Sequence, residues 1–139
     1  MKNKYLEVAK IIKNSISQTK DEKLKEYLAR TAISRAYEAV FLELFYYFTE
    51  DLKISYTELK TIAKDYYKQK GIKISINKHT VVGAYMSLKY GEIYGKMFED
   101  LRLARNDVDY NLILQYVDIA ETRKYIKKAE IILQEVIKE

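Results

Sequence analysis

Apolar residues recur at the three- and four-residue spacing of an amphipathic helix along most of the chain. Residues 4–18 form the first such stretch, with apolar positions at Tyr5, Val8, Ala9, Ile12 and Ile16. Residues 22–48 form the second, and its two apolar stripes cover more than half of the helix circumference after residue 32. A helix that is apolar over so much of its surface is usually central to a fold. We therefore expect the second helix to lie in the core.

Residues with capping preferences predict where the next helices begin and end. Thr19 and Glu22 have the spacing of a capping box, in which side chains satisfy the free N–H groups of a first helical turn. This pair predicts the start of the second helix. Ser55 and Glu58 repeat the spacing and predict the start of a third helix, which is expected to end near Gly71 in a left-handed cap.

The remaining chain predicts one loop and three further helices. Residues 72–80 begin with alternating isoleucines, but one short strand without a second cannot form a sheet. We therefore expect an extended loop that is held by those isoleucines. A short helix is predicted for residues 80–90 and is closed by Gly91, and a fifth carries apolar positions over residues 93–108. The last helix is predicted for residues 114–138.

Turn-forming residues are too few for a fold of many short strands. The 139 residues include no proline and four glycines, and sandwiches or barrels use such residues in their turns. A chain of this length supports one buried core. The prediction is an all-α fold: a single domain over residues 1–139, built as an antiparallel bundle of five to six helices.

Composition narrows the chemistry and the environment. No cysteine and a single histidine, His79, argue against thiol chemistry and against a metal site, so no metal or cofactor is expected. No stretch has the length of a membrane span or the pattern of a signal peptide, which predicts a cytoplasmic protein with no membrane partner. The net charge of +5 is compatible with a nucleic-acid partner. Abundant Lys, Glu, Ile and Tyr, without Cys or Trp, is a thermophile-like composition.

The stretch RLARNDVDYN, residues 102–111, contains the candidate chemistry. Arg105 follows Leu101 by four residues, so it is predicted at the edge of the apolar face of the fifth helix. Asp109 is four residues further on and within reach as an intrahelical partner. Such an arginine is either a packed stem with a neutralised head or a cation directed into a cleft.

Two stretches resemble the HEPN (higher eukaryotes and prokaryotes nucleotide-binding) domains. SRAYEAVF, residues 34–41, resembles the core-helix signature of that superfamily. RNDVDY, residues 105–110, resembles its arginine–histidine motif, with Arg105 at the arginine position, Asn106 at the polar position and Tyr110 where active members have histidine. The resemblance implies a HEPN-like helical bundle that forms homodimers and acts in a toxin–antitoxin or defence module. It also implies that RNA and a small nucleotidyltransferase antitoxin are its partners.

The departures from the motif favour phosphate binding over cleavage. A phenol with a pKa of about 10 is a poor general base near neutral pH, so Tyr110 predicts a weak or inactive metal-independent RNase. The tyrosine that antitoxins of this kind modify corresponds to Leu112 here. The alternative is a non-catalytic helical module that docks a nucleotidyltransferase. Residues with a predicted catalytic role are Arg105, Asn106 and Tyr110, and those predicted to bind RNA or nucleotide are Arg105, Asp109, Arg35 and Arg102.

Three positions carry open alternatives. Arg105 and Tyr110 are five residues apart, about 140° around a helix, so they face one cleft only if the helix ends between them or a dimer supplies one of them. His79 is either an ordinary first-turn residue of the fourth helix or a substitute for the missing imidazole. Arg35 interrupts an apolar wall, and it either forms a structural ion pair or makes a second phosphate contact. Its possible carboxylate partners are Glu38, Glu43 and Asp109.

Overall fold

Six α-helices and one π-helical turn form the secondary structure of the residues that this computed structural model describes, 3–111 and 117–137. The helices are α1 (Tyr5–Ile16), α2 (Glu22–Tyr46), α3 (Tyr56–Lys70), α4 (Lys78–Tyr90), α5 (Glu92–Tyr110) and α6 (Ile119–Val136), and the π-helical turn Tyr47–Asp51 extends α2. No strand occurs in those two ranges. The all-α fold predicted from the sequence is therefore confirmed. None of the described helices is both long enough and apolar enough to span a membrane.

Helix α2 is the central element, as its two apolar stripes predict. It packs against α1, α4, α5 and α6. Its fully buried side chains include Tyr37 and Leu44, and the core cluster that contains them has members from every described helix. As α2 advances from Arg30 to Tyr37, its contacts on α5 go back from Val108 to Arg105, so these two helices are antiparallel.

The start of α2 differs from the prediction. Asp21 is the N-cap, and its carboxylate accepts hydrogen bonds from the backbone N–H groups of Lys23 and Leu24. Thr19 instead donates its hydroxyl to the carbonyl oxygen of Ser15. The predicted capping box is wrong because an aspartate immediately before the helix satisfies the same donors.

The starts and ends of the middle helices follow from their caps. Ser55 accepts from the N–H of Glu58 and begins α3, and Gly71 ends it in the left-handed region at φ 69°, so both predictions are confirmed. Residues 72–76 are an extended loop, as expected. Helix α4 begins earlier than predicted because Asn77 and Thr80 form a reciprocal capping box. Gly91, at φ 120°, separates α4 from α5.

Near the carboxyl end, the structure excludes one open alternative and corrects one predicted helix start. Helix α5 is continuous through Tyr110, so the helix does not end between Arg105 and Tyr110. The last helix begins at Ile119, with Asp118 as its N-cap, rather than near residue 114. Helix α6 begins here because the Asp118 carboxylate caps it, accepting a hydrogen bond from the backbone N–H of Glu121. Position 114 itself lies outside the described residues.

Candidate anion-binding site

The two stretches that carry the family resemblance lie side by side in the fold. Ser34, on α2, donates its hydroxyl to Asp109 Oδ2 of α5 at 3.0 Å. One turn further along α2, the guanidinium of Arg105 lies over the ring of Tyr37, with Cζ 5.1 Å from the ring centroid. The antiparallel packing of α2 on α5 therefore brings both stretches into one site.

Arg105 is a largely buried cation with an incomplete set of partners. Its side chain is 15% exposed, and its Nη1 lies 3.9 Å from Asp109 Oδ2, which is longer than a hydrogen bond. Its Nε is buried and has no hydrogen-bond partner. The ring of Tyr37 supports the planar head from one side. Arg105 therefore combines features of both predicted roles. Its aliphatic stem is packed, as in a structural arginine, while its guanidinium keeps a donor that is free for an anion.

Arg35 is the second cation at this site, and of the two roles predicted for it the structural ion pair is not formed. No carboxylate of the described residues lies within ion-pairing distance of it, including Glu38, Glu43 and Asp109. Glu43 accepts a hydrogen bond from the backbone N–H of Asn3 instead. The Arg35 guanidinium lies over the ring of Tyr5 on α1, at 5.6 Å, because the α1 packing turns it toward that helix.

Two hydrogen bonds through the Ser34 hydroxyl connect Arg35 to Asp109, the carboxylate that lies 3.9 Å from Arg105. We call Arg35 and Arg105 the arginine pair. Arg35 donates from Nη2 to Ser34 Oγ at 3.4 Å, and that same hydroxyl donates to Asp109. Over the described residues, the buried side-chain nitrogen and oxygen atoms without a hydrogen-bond partner are Arg35 Nε and Arg105 Nε. Two unsatisfied donors therefore flank a single carboxylate, which leaves the site with a surplus of positive charge.

Arg102 lies one turn before Arg105 but has its own partner. It donates from Nε and Nη2 to the two carboxylate oxygens of Glu99, at 2.9 and 2.5 Å. Such a bidentate pair holds the planar guanidinium in a fixed geometry and balances its charge. Arg102 is therefore less available to an anion than either member of the arginine pair.

His79 reaches the same site from α4. It is the second residue of that helix and is half-buried. Its Nδ1 lies 2.8 Å from the hydroxyl of Tyr37, and its ring stacks on Phe41 with a centroid distance of 4.1 Å. Burial lowers the pKa of His79, and the positive charges of Arg105 and Arg102 lower it further. Burial also raises the pKa of Tyr37, so the phenol keeps its proton at neutral pH while it hydrogen-bonds the imidazole.

Tyr110 and Asn106 occupy different parts of the α5 surface. The Tyr110 side chain is 75% exposed, whereas Asn106 is partly buried. Because α5 is continuous, Tyr110 lies about 140° around the helix from Arg105. Within one chain, Tyr110 therefore does not share the site of Arg105. Leu112, the position that corresponds to the modified tyrosine, lies outside the described residues.

Sequence reasoning missed two residues that organise the site. Tyr37 was identified only as part of an apolar stripe, yet it supports Arg105 and holds His79. Arg30 is 4% exposed, and its Nη1 donates to the backbone carbonyl oxygens of Asp107, Val108 and Asn111 at 3.2–3.4 Å. It thus binds the carboxyl end of α5. The i, i+4 spacing of Glu26 and Arg30, which pair at 3.1 Å, was the available signal.

A cavity of about 430 Å³ lies beside Arg30 rather than beside the arginine pair. Its walls include Asp107, Asp118, Glu121 and Tyr125, so three carboxylates face one buried guanidinium. Among the described residues, no three histidine, aspartate or glutamate side chains are grouped closely enough to hold a metal ion. The arginine pair therefore remains the better candidate for an anion.

Comparison with known proteins gives no relative to guide the assignment. No protein-family model, curated protein or solved structure matches this chain. The chemistry of the site is therefore argued from its own residues.

Proposed function

We propose that this chain binds a phosphate group of RNA or of a nucleotide at the arginine pair. The observation that carries the proposal is the placement of Arg35 Nε and Arg105 Nε, two buried guanidinium donors without partners, around one Ser34–Asp109 hydrogen bond. Guanidinium groups match the oxygens of a phosphate in geometry and charge. The HEPN-like motifs support RNA as the source of the phosphate and a toxin–antitoxin or defence module as the setting.

Aromatic rings hold the two guanidinium groups in position for such a ligand, and a carboxylate of this chain already lies beside one of them. Tyr37 and Tyr5 support the guanidinium planes of Arg105 and Arg35, which lowers the entropy lost on binding. Asp109 supplies negative charge that partly balances Arg105 directly, and Ser34 connects it to Arg35. An incoming phosphate therefore competes with a carboxylate of this chain, and moderate affinity follows.

Weak or absent RNA cleavage is part of the proposal. Tyr110 is turned away from Arg105, so it cannot serve as the proton-transfer group of this site within one chain. The imidazole of His79 is the nearby group that could transfer a proton, but burial and the charges of Arg105 and Arg102 lower its pKa, and its Nδ1 is engaged by Tyr37. Any cleavage in the presence of EDTA is expected to depend on His79 and to be unaffected by Tyr110→Phe.

Fluorescence anisotropy with a labelled 12-nucleotide single-stranded RNA at low salt tests the binding proposal. Losing a charge-assisted hydrogen bond costs about 1.5–3 kcal/mol, so Arg105→Gln is expected to weaken binding by about tenfold or more. Arg123→Gln is the matched control, because Arg123 is exposed on α6 and pairs with no described carboxylate. Melting curves of both variants establish that each is folded. Equal affinities of the two variants would contradict the proposal.

A second candidate function is a non-catalytic module that docks a nucleotidyltransferase. Leu103 and Tyr110 favour it, since they lie seven residues apart on α5 and are 48% and 75% exposed. Their spacing places them on one face, away from Arg105. Co-expression with a nucleotidyltransferase encoded beside this gene discriminates the two functions. A stable complex that Tyr110→Asp disrupts and Arg105→Gln leaves intact, without RNA affinity, would favour docking.

A further inference from the structure

A row of aromatic rings leads away from the arginine pair along α2. Tyr37, Phe41 and Phe45 are four residues apart, and their ring centroids are separated by 6.2 and 5.9 Å. The ring of Tyr56, at the start of α3, continues the row 6.0 Å beyond Phe45. The row thus connects the site of Arg105 to the amino-terminal end of α3.

Cations from three different helices lie over the rings of this row. Arg105 of α5 covers Tyr37, Lys78 of α4 lies 5.5 Å from the centroid of Phe45, and Lys60 of α3 lies 4.8 Å from that of Tyr56. We call these three residues the cation row. A face of an aromatic ring attracts a cation, so the rings restrict side chains that would otherwise move freely in solvent.

Two of the three charges of the cation row lack a carboxylate partner among the described residues, whereas Arg105 lies 3.9 Å from Asp109. Neither Lys60 nor Lys78 forms an ion pair with a carboxylate of the described residues, in contrast to Lys70 and Lys96 on other surfaces. The Lys78 side chain is exposed and that of Lys60 is partly so. His79, which lies between Tyr37 and Phe41 and beside the row, adds no opposing charge. Lys60 and Lys78 therefore add positive charge along the row that no carboxylate of the described residues pairs with.

We propose that the cation row is a track for single-stranded nucleic acid, in which Lys78 and Lys60 contact phosphates that follow the one bound at the arginine pair. This inference rests on the proposed function and extends it from one phosphate to a polymer. A flexible single strand fits better than a duplex because the cations come from three helices, and a strand adapts to their placement by backbone rotation. The contacts are to phosphates, so RNA and DNA strands share the chemistry that is recognised.

The length dependence of binding tests the track. Oligouridylates of 2, 4, 8 and 12 nucleotides are titrated against the full chain, and affinity is expected to rise with length until the row is covered. The double variant Lys60→Gln/Lys78→Gln is expected to bind the 12-mer at least tenfold more weakly and to bind the dinucleotide as the wild type does. Each lost phosphate contact reduces the slope of log Kd against log salt by about 0.7, so the slope falls by about 1.4.

A control with the same change in charge separates the track from general electrostatics. Lys23→Gln/Lys127→Gln removes two exposed lysines from α2 and α6, away from the row, and is expected to leave the length dependence intact. Equal losses in the two double variants would overturn the track. So would a 12-mer that binds no more tightly than the dinucleotide, although the arginine pair would then stand. Dinucleotide binding tests the arginine pair alone, and it is expected to be lost in Arg105→Gln but not in Lys60→Gln/Lys78→Gln. The proposed function and the track can therefore fail separately.

Two further ligands identify the partner. Oligothymidylate of 12 nucleotides is expected to bind within a few-fold of the RNA, because the phosphates are shared. A polyglutamate peptide of equal charge is expected to bind much more weakly, because it lacks the phosphate group that the arginine pair is proposed to bind. Equal or tighter binding of the peptide would overturn the assignment to nucleic acid.

Discussion

At the scale of single residues, Asp109 has two opposing effects on the site. Its carboxylate accepts the Ser34 hydroxyl at 3.0 Å and lies 3.9 Å from Arg105, so it partly balances a buried cation. The same charge repels an incoming phosphate. The sequence predicted the Arg105–Asp109 proximity from their i, i+4 spacing, but it gave no sign of Ser34 as a third member, since that contact depends on how α2 packs against α5.

Replacing the carboxylate by its amide separates these effects. Asp109→Asn is expected to tighten RNA binding several-fold, because the repulsion is removed while an oxygen remains to accept from Ser34. Anisotropy titrations at two salt concentrations measure the change. Asp107→Asn, on the exposed side of the same helix, is the control for charge alone and is expected to have a smaller effect. Weaker binding in Asp109→Asn would show that the carboxylate supports the site rather than competing for it.

The lowered pKa of His79 has a consequence for folding. Its ordinary value is 6.5 and its folded value is lower, so between the two pKa values the unfolded chain binds more protons. The contribution of His79 to stability is therefore complete above pH 6.5 and is lost as the pH falls through that value toward the folded pKa. The pKa of His79 is lowered by burial against Tyr37 and Phe41 of α2 and by the positive charges of Arg105 and Arg102 of α5.

Urea denaturation at pH 5 to 8 checks this dependence. In the wild type the free energy of unfolding is expected to fall as the pH drops below 6.5, and in His79→Gln that part of the loss is expected to disappear. The amide keeps a group that can accept from Tyr37 but does not titrate. An identical pH profile in both proteins would show that other groups, and not His79, control acid stability.

At the scale of elements, the continuity of α5 determines which residues share a site. Poor helix formers at residues 107, 109 and 111 are compatible with an end before Tyr110, which was one of the two open alternatives, yet the helix persists. The reason lies outside the segment, because Arg30 of α2 binds the carbonyl oxygens at the carboxyl end of α5. Helix boundaries set by local caps, such as Ser55 and Gly71, were predictable. A boundary set by a side chain from another helix was not.

Removing that guanidinium tests its importance. Arg30→Met keeps much of the buried stem and leaves several carbonyl oxygens and Glu26 without their donor, so the free energy of unfolding is expected to fall by about 2–4 kcal/mol. Urea denaturation measures the difference, with Arg123→Met as the exposed control. A loss below about 0.5 kcal/mol would mean that α5 ends at Tyr110 for local reasons alone.

At the scale of the whole molecule, the all-α fold was predictable and the site was only partly so. Helical periodicity and the scarcity of turn residues were sufficient for six helices and for the central place of α2. The contacts of Asp109 and Arg105 with α2 depend on the antiparallel packing of α2 and α5, which no local pattern in the sequence specifies. Of the two roles predicted for Arg35, the ion pair is wrong, because its guanidinium lies over Tyr5 of α1 and not beside a carboxylate, while the phosphate contact stays a prediction.

A homodimer stays a prediction of that resemblance. In such a dimer, Tyr110 of one protomer could lie beside Arg105 of the other. Within one chain the continuous helix α5 keeps these two side chains apart. Light scattering coupled to size-exclusion chromatography is expected to give about twice the monomer mass of 16.5 kDa. Leu103→Asp/Tyr110→Asp is expected to shift the protein to the monomer if the exposed α5 face forms the interface. A monomeric wild type at high concentration would exclude this arrangement.

Because His79 is held beside Arg105 by its hydrogen bond to Tyr37, its titration reports whether an anion is bound at the site. The chain has a single histidine, so its imidazole gives one unambiguous set of nuclear magnetic resonance signals. An anion that neutralises Arg105 removes part of the field that opposes protonation of that ring, and the midpoint of its titration curve moves upward. Occupancy of the site is thereby readable from one resonance, without a label on either the protein or the nucleic acid.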